Sequence, residues 1–366
     1  MKILLLATDI YGGHGGIALF NRELVTALLA HPDCEEVTVI PRIVPHPDRH
    51  LIPDRVRFVA SAARTPVLYT KAILAAKRAR FDLVICGHVN LLPVARFITP
   101  HPLLITHGIE AWRPLRNPLS NRLLQQCRGI VSVSALTRDR LRSWSHYAGP
   151  MYVLPNAVHL EEYSMRPKRQ DLIDRYDLRD KRVLLTVGRI VARERYKGFR
   201  EVIEVLGRLP EDVVYVIAGG GDDIARLQQS ARELGVADRV RFTGLFPENE
   251  KTDLYNLADV YVMPSRGEGF GFVFIEALAC GVPVIGSKAD GGREALLDGQ
   301  LGLLVDPANP YEIEAAIRDA LNFGKREIPA GLEFFSFEKF VERVGGIVDA
   351  AAPRPGSRAH RLTGSQ

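Results

Sequence analysis

Two glutamates with seven residues between them, Glu268 and Glu276, form the strongest candidate site in this sequence. Glu268 stands in a glycine-rich loop, and Glu276 falls in the apolar helix predicted to follow that loop. A carboxylate in apolar surroundings is costly unless it has a partner, and a ribose diol that donates two hydrogen bonds would be one. The loop glycines would let backbone N–H groups approach a sugar or a phosphate. The structural alternative is a Glu276 paired with a neighbouring arginine.

Two cations stand near the start of the same half of the chain. Arg189 follows the apolar run Val183–Val187, and Lys197 precedes the next predicted helix. An arginine fork and a compact lysine charge near the end of a strand suit a diphosphate. The alternative is a solvated basic loop, since Arg193 and Arg195 lie between them.

Two further candidates follow apolar runs in the first half. The turn Gly12–Gly16 contains four glycines and precedes a predicted helix, whose amino terminus would attract an anion. Its spacing matches neither the dinucleotide-binding nor the Walker motif, so a turn without a ligand is the alternative. His107 follows the run Leu103–Thr106, and ligands of open parallel sheets bind beyond the carboxyl ends of strands. A structural histidine is the alternative at that position.

The elements that would position these residues are short and regular. Thirteen apolar runs, from Ile3–Ala7 to Leu303–Val305, alternate with longer amphipathic stretches. Seven runs fall in the first half and six in the second, and they are rich in Val, Ile and Leu. Such runs are typical of strands buried on both faces of a parallel sheet. The sequence therefore predicts an α/β protein with two doubly wound domains.

We expect the domains to span residues 1–160 and 161–336, with the boundary in a proline-containing and charged stretch. A closing helix at about residues 337–350 could pack back on the first domain. The tail 353–366 is rich in Pro, Gly and Ser, and we predict that it is disordered.

Composition excludes a disordered, a collagen-like and a coiled-coil chain. The 366 residues are 46% hydrophobic and 25% charged, which is typical of a globular chain. No apolar run approaches the ~20 residues that span a bilayer, and the amino-terminal run is too short for a signal peptide. We therefore expect a cytoplasmic protein, or one bound peripherally to the inner face of a membrane. The four cysteines are widely spaced, which argues against a disulfide framework or a structural zinc.

Charge is distributed unevenly along the chain. Residues 1–160 carry 19 Lys and Arg against 10 Asp and Glu, whereas residues 161–366 carry 29 against 33. A basic first half could face anionic lipid, a phosphorylated acceptor or nucleic acid. Its basic residues are not clustered with aromatic ones, so we expect no nucleic-acid partner. The stretch Pro66–Arg80 could lie on an anionic membrane, or be an ordinary helix with a solvated face.

Together these residues resemble the family-4 retaining glycosyltransferases, which have the GT-B fold of two Rossmann-like domains facing a cleft. The most specific element is the E-x7-E motif of Glu268 and Glu276 in the context G-E-G-F-G. The segments that also match, in the expected order, are Pro155–Val158, Gly188–Arg189, Lys197–Gly198, Gly219–Asp222, Glu294 and Gly302–Val305. The chain departs from the family at residues 155–159, where Pro-Asn-Ala-Val-His replaces Pro-Asn-Gly-Val-Asp.

The resemblance implies a role for each candidate residue. Glu276 would bind the ribose of a nucleotide, and Arg189 and Lys197 would bind the donor diphosphate and stabilise the leaving group. The implied catalytic residues are His107, Arg189, Lys197 and Glu268. The implied donor-binding residues are Gly15, Gly16, Arg189, Lys197, Glu268, Phe270, Gly271, Phe272 and Glu276.

The activity implied is transfer of a hexose, with retention, from a nucleotide-diphosphate sugar to a glycan or lipid-linked acceptor. The pathway implied is the synthesis of cell-surface polysaccharide, exopolysaccharide or lipopolysaccharide, with the acceptor bound by the amino-terminal domain. The chain contains no Asp-x-Asp, so we expect neither a metal nor a cofactor besides the nucleotide sugar. The alternative is a GT-B sugar-nucleotide epimerase that acts on the donor alone.

Overall fold

The computed structural model describes residues 1–12, 15–43, 47–323 and 326–352. The tail predicted to be disordered, residues 353–366, lies outside the described residues. Gly13 and His14 of the glycine-rich turn also lie outside them, whereas Gly15 and Gly16 are described.

Seven parallel strands form the first sheet, in the order β3-β2-β1-β4-β5-β6-β7. They are β1 Lys2–Ala7, β2 Glu36–Pro41, β3 Val56–Phe58, β4 Leu83–Cys86, β5 Leu103–Thr106, β6 Gly129–Ser132 and β7 Met151–Val153. The helices of this amino-terminal lobe are α1 Gly16–Ala30, α2 Pro66–Arg78, α3 Leu92–Ile98, α4 Pro118–Leu124 and α5 Ala135–Ser145. The central strands are buried on both faces, as their unbroken apolar runs predict.

Six parallel strands form the second sheet, in the order β10-β9-β8-β11-β12-β13. They are β8 Arg182–Val187, β9 Val213–Ala218, β10 Val240–Gly244, β11 Val260–Val262, β12 Val284–Ser287 and β13 Leu303–Val305. The helices of this carboxy-terminal part are α6 Gln170–Tyr176, α7 Phe199–Leu206, α8 Ile224–Glu233, α9 Lys251–Leu257, α10 Phe272–Ala279, α11 Gly292–Ala295, α12 Pro310–Leu321 and α13 Phe337–Ala351. The prediction of two doubly wound α/β units is confirmed.

The last helix, α13, returns to the amino-terminal lobe. The ring of Phe340 meets the ring of Phe20 on α1 edge-on, with 5.9 Å between centroids. The backbone N–H of Val158 donates to the carbonyl of Phe335 at 2.8 Å, so the chain entering α13 pairs with the segment that follows β7. The carboxy-terminal helix α13 therefore packs against the amino-terminal lobe.

A carboxylate of one lobe also caps a helix of the other. Glu294, on α11, accepts the backbone N–H groups of Ala135 and Leu136 at 2.6 and 2.7 Å. The hydroxyl of Ser134 accepts the N–H of Thr137 at 3.1 Å, so three orphan donors of α5 are satisfied. A negative charge at a helix amino terminus is favourable, and here it joins the two lobes.

We predict that Glu294→Ala opens the cleft. Losing a charged cap should destabilise the arrangement in which the lobes touch by about 1–2 kcal/mol. Small-angle X-ray scattering should then report a larger radius of gyration for the variant than for the wild type. The control is Asp298→Ala, which removes an exposed partner of Arg293 in the same lobe. Equal radii for all three proteins would contradict the capping role.

Candidate active site

The two cations predicted from sequence lie at the carboxyl edge of the second sheet. Arg189 lies two residues after the end of β8. A Cβ built on Gly15 would lie 3.8 Å from the Cζ of Arg189, so the glycine turn of the other lobe faces the guanidinium. The Nζ of Lys197 lies 2.5 Å from Oε1 of Glu268. The Nη2 of Arg189 lies 2.5 Å from Oε1 of Glu194. Each cation is therefore at the cleft and paired with a carboxylate.

Two helix amino termini meet across the same cleft. Helix α1 begins after Gly15 (φ 112°) and α10 begins after Gly271 (φ 89°), backbone conformations that favour glycine. A Cβ on Gly16 would lie 3.5 Å from the ring of Phe272. Neither helix has a side-chain cap or an acidic residue in its first turn. Their first N–H groups can therefore bind an anion, assisted by both helix dipoles.

The loop that carries Glu268 is held by a buried aspartate. Asp290 follows β12, and its two oxygens accept the backbone N–H groups of Glu268 at 2.8 Å and Gly292 at 3.0 Å. The N–H of Gly291 donates in turn to the carbonyl of Glu268 at 2.8 Å. Burial raises the pKa of Asp290 to about 6, although the N–H donors act in the opposite direction.

This loop touches the histidine of the opposite lobe. A Cβ on Gly269 would lie 1.8 Å from the carbonyl oxygen of His107, so only glycine permits this approach. The His107 Nε2 lies 2.9 Å from the carbonyl oxygen of Gly87. Because a carbonyl can only accept, Nε2 carries the proton, and Nδ1 keeps a lone pair. Burial lowers the pKa of His107, which favours this neutral form. Glu110 accepts the backbone N–H of His107 at 2.5 Å and closes the turn.

Glu276 is buried within α10 and already has partners. Its Oε1 lies 2.7 Å from Nζ of Lys251, and its Oε2 accepts the hydroxyl of Tyr255 at 2.6 Å. Burial and the charge of Glu276 raise the pKa of Tyr163, a further neighbour. The structural alternative predicted an arginine partner; the basic partner is a lysine instead, and a tyrosine hydroxyl joins it. A carboxylate offers about four acceptor positions, so ligand hydroxyls could join these donors or replace them.

Two models of known protein families match this chain, one over each lobe. The family model described as Glycosyltransferase Family 4 matches residues 14–162. The model described as Glycosyl transferases group 1 matches residues 168–327. The chain belongs to these family 4 and group 1 glycosyltransferases.

Curated relatives include two kinds of glycosyltransferase. A GDP-mannose-dependent alpha-(1-6)-phosphatidylinositol monomannoside mannosyltransferase of Mycolicibacterium smegmatis is 32% identical over 238 residues, 62% of each chain. A D-inositol 3-phosphate glycosyltransferase of Corynebacterium jeikeium is 30% identical over 193 residues, 50% of this chain and 46% of the relative. The matched segments thus span less than two thirds of these relatives.

Among solved structures, HepE of Anabaena in complex with UDP and glucose superposes with a TM-score of 0.75. It is 21% identical, and the match covers 96% of this chain and 100% of HepE. Sucrose-phosphate synthase of Thermosynechococcus elongatus gives a TM-score of 0.77 at 22% identity, over 95% of this chain and 98% of that one. These likenesses establish the GT-B fold.

Most of the site residues predicted for this glycosyltransferase come together at the cleft. The contacts described above join Gly15, Gly16, His107, Arg189, Lys197, Glu268 and Phe272. Glu276 lies one turn beyond Phe272 on α10. The side chain of Phe270 instead points into the core, where its ring packs against Phe335 with 5.4 Å between centroids. Only the backbone of Phe270 therefore remains a candidate for ligand contact.

Sequence reasoning missed four residues that hold this site together, Glu194, Lys251, Tyr255 and Asp290. Asp290 could have been found, because it follows a buried strand at the carboxyl edge that binds ligands. Lys251 and Tyr255 gave no signal, since they lie 25 and 21 positions from Glu276 on another helix. Within the described ranges, no group of three or more His, Cys, Asp or Glu is placed to bind a metal ion.

We predict a pH-dependent difference in stability between the wild type and Asp290→Asn. The pKa of Asp290 in the folded protein, about 6, lies above its ordinary value of 3.8, so folding favours the protonated acid. Its stabilising contribution is present at low pH and is lost as the pH rises through 6. The free energy of unfolding of the wild type relative to the variant should fall by about 2–3 kcal/mol between pH 4 and pH 7. Urea unfolding at several pH values measures this, and a constant difference would show that the pKa of Asp290 is not raised.

Proposed function

We propose that the protein is a retaining hexosyltransferase that moves a sugar from a nucleoside diphosphate to a glycan or lipid-linked acceptor. The observation that carries this proposal is the convergence of Arg189, Lys197 and two uncapped helix amino termini at one cleft. Two cations of the carboxy-terminal lobe and a helix amino terminus from each lobe suit an anion such as a diphosphate.

The same groups would supply the chemistry. Glycosyl transfer breaks the bond between the anomeric carbon and the diphosphate, and negative charge accumulates on the departing oxygen. Arg189, Lys197 and the N–H groups of α1 and α10 would stabilise that charge more in the transition state than in the ground state. Glu268 would release Lys197 to the phosphate and accept hydrogen bonds from the hydroxyls of the sugar.

Retention of the configuration at the anomeric carbon constrains the face of the sugar from which the acceptor attacks. A double displacement would require a carboxylate nucleophile about 5–5.5 Å from a second carboxyl group, as in retaining glycoside hydrolases. Glu268 is ion-paired with Lys197, and Asp290 accepts two backbone N–H groups. These contacts make both carboxylates poor nucleophiles. We propose instead that acceptor and leaving group share one face, where a donor phosphate oxygen takes the proton of the acceptor hydroxyl.

The remaining contacts position the donor. Glu276 would accept the two ribose hydroxyls, either beside Lys251 and Tyr255 or in their place. His107 would accept a hydroxyl of the sugar at Nδ1, the nitrogen left with a lone pair by its bond to Gly87. The close contact between Gly269 and His107 would exclude water from the reacting centre and so limit hydrolysis of the donor.

The names of the relatives indicate the classes of donor and acceptor that we propose. The mannosyltransferase is named for GDP-mannose and a phosphatidylinositol mannoside, and the other relative is named for inositol 3-phosphate. We propose a hexose donor, GDP-mannose or a UDP-hexose, and an acceptor used in the synthesis of a cell-surface glycan. We further propose that transfer requires no bound metal, because the sequence lacks an Asp-x-Asp motif.

We predict that Arg189→Ala and Lys197→Ala each lower turnover by more than about tenfold, because each removes a charge from the leaving group. The donor is first chosen by thermal shift with UDP-, GDP- and ADP-sugars, since a bound nucleotide raises the melting temperature. Transfer is then measured as nucleoside diphosphate released with an acceptor. The control is Arg200→Ala on α7, whose exposed guanidinium pairs with Glu204. Unchanged turnover in both site variants, or isomerised donor without any acceptor, would refute transfer.

The amino-terminal lobe offers a surface for an anionic membrane. Val67 and Leu74 on α2 are 64% and 41% exposed, and Phe97 nearby is 48% exposed. The Nζ of Lys77 lies 5.2 Å from the ring of Phe97. Among the described residues, no helix is both long and apolar enough to cross a bilayer. We propose that this surface binds peripherally to the cytoplasmic face of a membrane and brings the cleft to a lipid-linked acceptor.

We predict that the protein sediments with vesicles containing anionic lipid and much less with neutral vesicles. The double variant Val67→Ser, Leu74→Ser should lower the bound fraction severalfold, because it removes apolar contact with the bilayer. Leu234→Ser, which alters an exposed leucine after α8, is the control. Equal binding to both kinds of vesicle would exclude the membrane proposal.

A further inference from the structure

A buried carboxylate lies between the two cations of the cleft. The side chain of Glu194 is 7% exposed, and its Oε1 is 2.5 Å from Nη2 of Arg189. Its Oε2 is 4.0 Å from Nζ of Lys197. Among the described residues, Oε2 is buried and has no hydrogen-bond partner. An unsatisfied buried oxygen is costly, so this position requires an explanation beyond packing.

The backbone turns Glu194 inward, whereas the side chains of its neighbours Arg193 and Arg195 are largely exposed. Glu194 interrupts the short helical stretch Ala192–Lys197 with φ −115° and ψ 25°. Arg193 is 77% exposed, and its Nε lies 3.9 Å from Oε1 of Glu194, whereas Nη2 of Arg195 lies 2.8 Å from Oδ1 of Asp223. The chain thus places one buried carboxylate against the pair of cations that would bind a diphosphate, with Arg193 at its exposed side and Arg195 held by a different carboxylate.

Such a carboxylate affects an anionic ligand in two ways. It competes for Arg189, and its negative charge lowers the positive potential beside Lys197. Both effects weaken the hold on a diphosphate. Weaker binding of the product favours turnover wherever product release limits the rate.

We propose that Glu194 is a positioning residue that aligns Arg189 before the donor binds and weakens the grip on the nucleoside diphosphate product. This inference rests on the proposed function, because it assumes that Arg189 and Lys197 bind a diphosphate. Glu194 acts through Arg189 and does not contact the reacting atoms.

The test is the dissociation constant of the nucleoside diphosphate, measured by isothermal titration calorimetry with UDP, GDP and ADP. Glu194→Gln keeps the shape of the side chain and removes its charge, so it should bind the preferred nucleotide about tenfold more tightly. Its kcat and its KM for the donor should both fall, because product leaves slowly. Glu194→Asp keeps the charge and should stay near the wild type. Glu204→Gln makes the same change of net charge on an exposed part of α7 and should have no effect.

Other results of this titration would overturn either the inference or the proposed function. Equal or weaker nucleotide binding by Glu194→Gln would overturn the inference, since a purely structural role predicts loss of affinity. An equal gain in Glu204→Gln would also overturn it, by tracing the effect to net charge. If Glu194→Gln does not fold, as judged by circular dichroism, Glu194→Ala removes the same charge and provides the test. If the wild type binds none of the three nucleotides, the proposed function itself fails.

Discussion

Three cations of the carboxy-terminal lobe, Arg189, Lys197 and Lys251, lie beside the carboxylates Glu194, Glu268 and Glu276. The three carboxylates and the two lysines are largely buried, whereas Arg189 is half-exposed. Buried charges are tolerated only when they are paired, so this pairing lets the fold keep ionised groups together. An anionic nucleotide would bind by exchanging partners, with its phosphates replacing carboxylates and its ribose hydroxyls joining Glu276. Affinity then depends on the difference between two sets of contacts, which makes the carboxylates as influential as the cations.

The close approach of the two lobes sets the second condition. Gly269 permits backbone contact with His107, and Glu294 caps α5 from across the cleft. Gly269 lies in the loop after β11 and Glu294 on α11 after β12, both at the carboxyl edge of the second sheet, the edge that carries Arg189 and Glu268. The elements that bring the lobes together are thus the same elements that position the charged groups.

The fold and much of the candidate site follow from local sequence, whereas the pairing of charges does not. Unbroken runs such as Ile3–Ala7 predict buried parallel strands, and residues within two positions of the end of such runs, including His107 and Arg189, fall at the ligand-binding edge. The apolar helix predicted to follow the glycine-rich loop is α10, which begins at Phe272 because Gly271 supplies the turn that starts it. The partnership of Lys251 with Glu276 joins two helices whose packing is set by the whole lobe, so no local pattern could show it.

The central claim is that a nucleoside diphosphate lies between the lobes, with its ribose on Glu276 and its phosphates on Arg189 and Lys197. A crystal structure of the protein with the nucleoside diphosphate that stabilises it most measures this directly. We expect both ribose hydroxyls within hydrogen-bonding distance of Glu276, and the Arg189 guanidinium turned from Glu194 to a phosphate oxygen. A nucleotide bound elsewhere, with Glu276 still held by Lys251 and Tyr255 alone, would contradict this account.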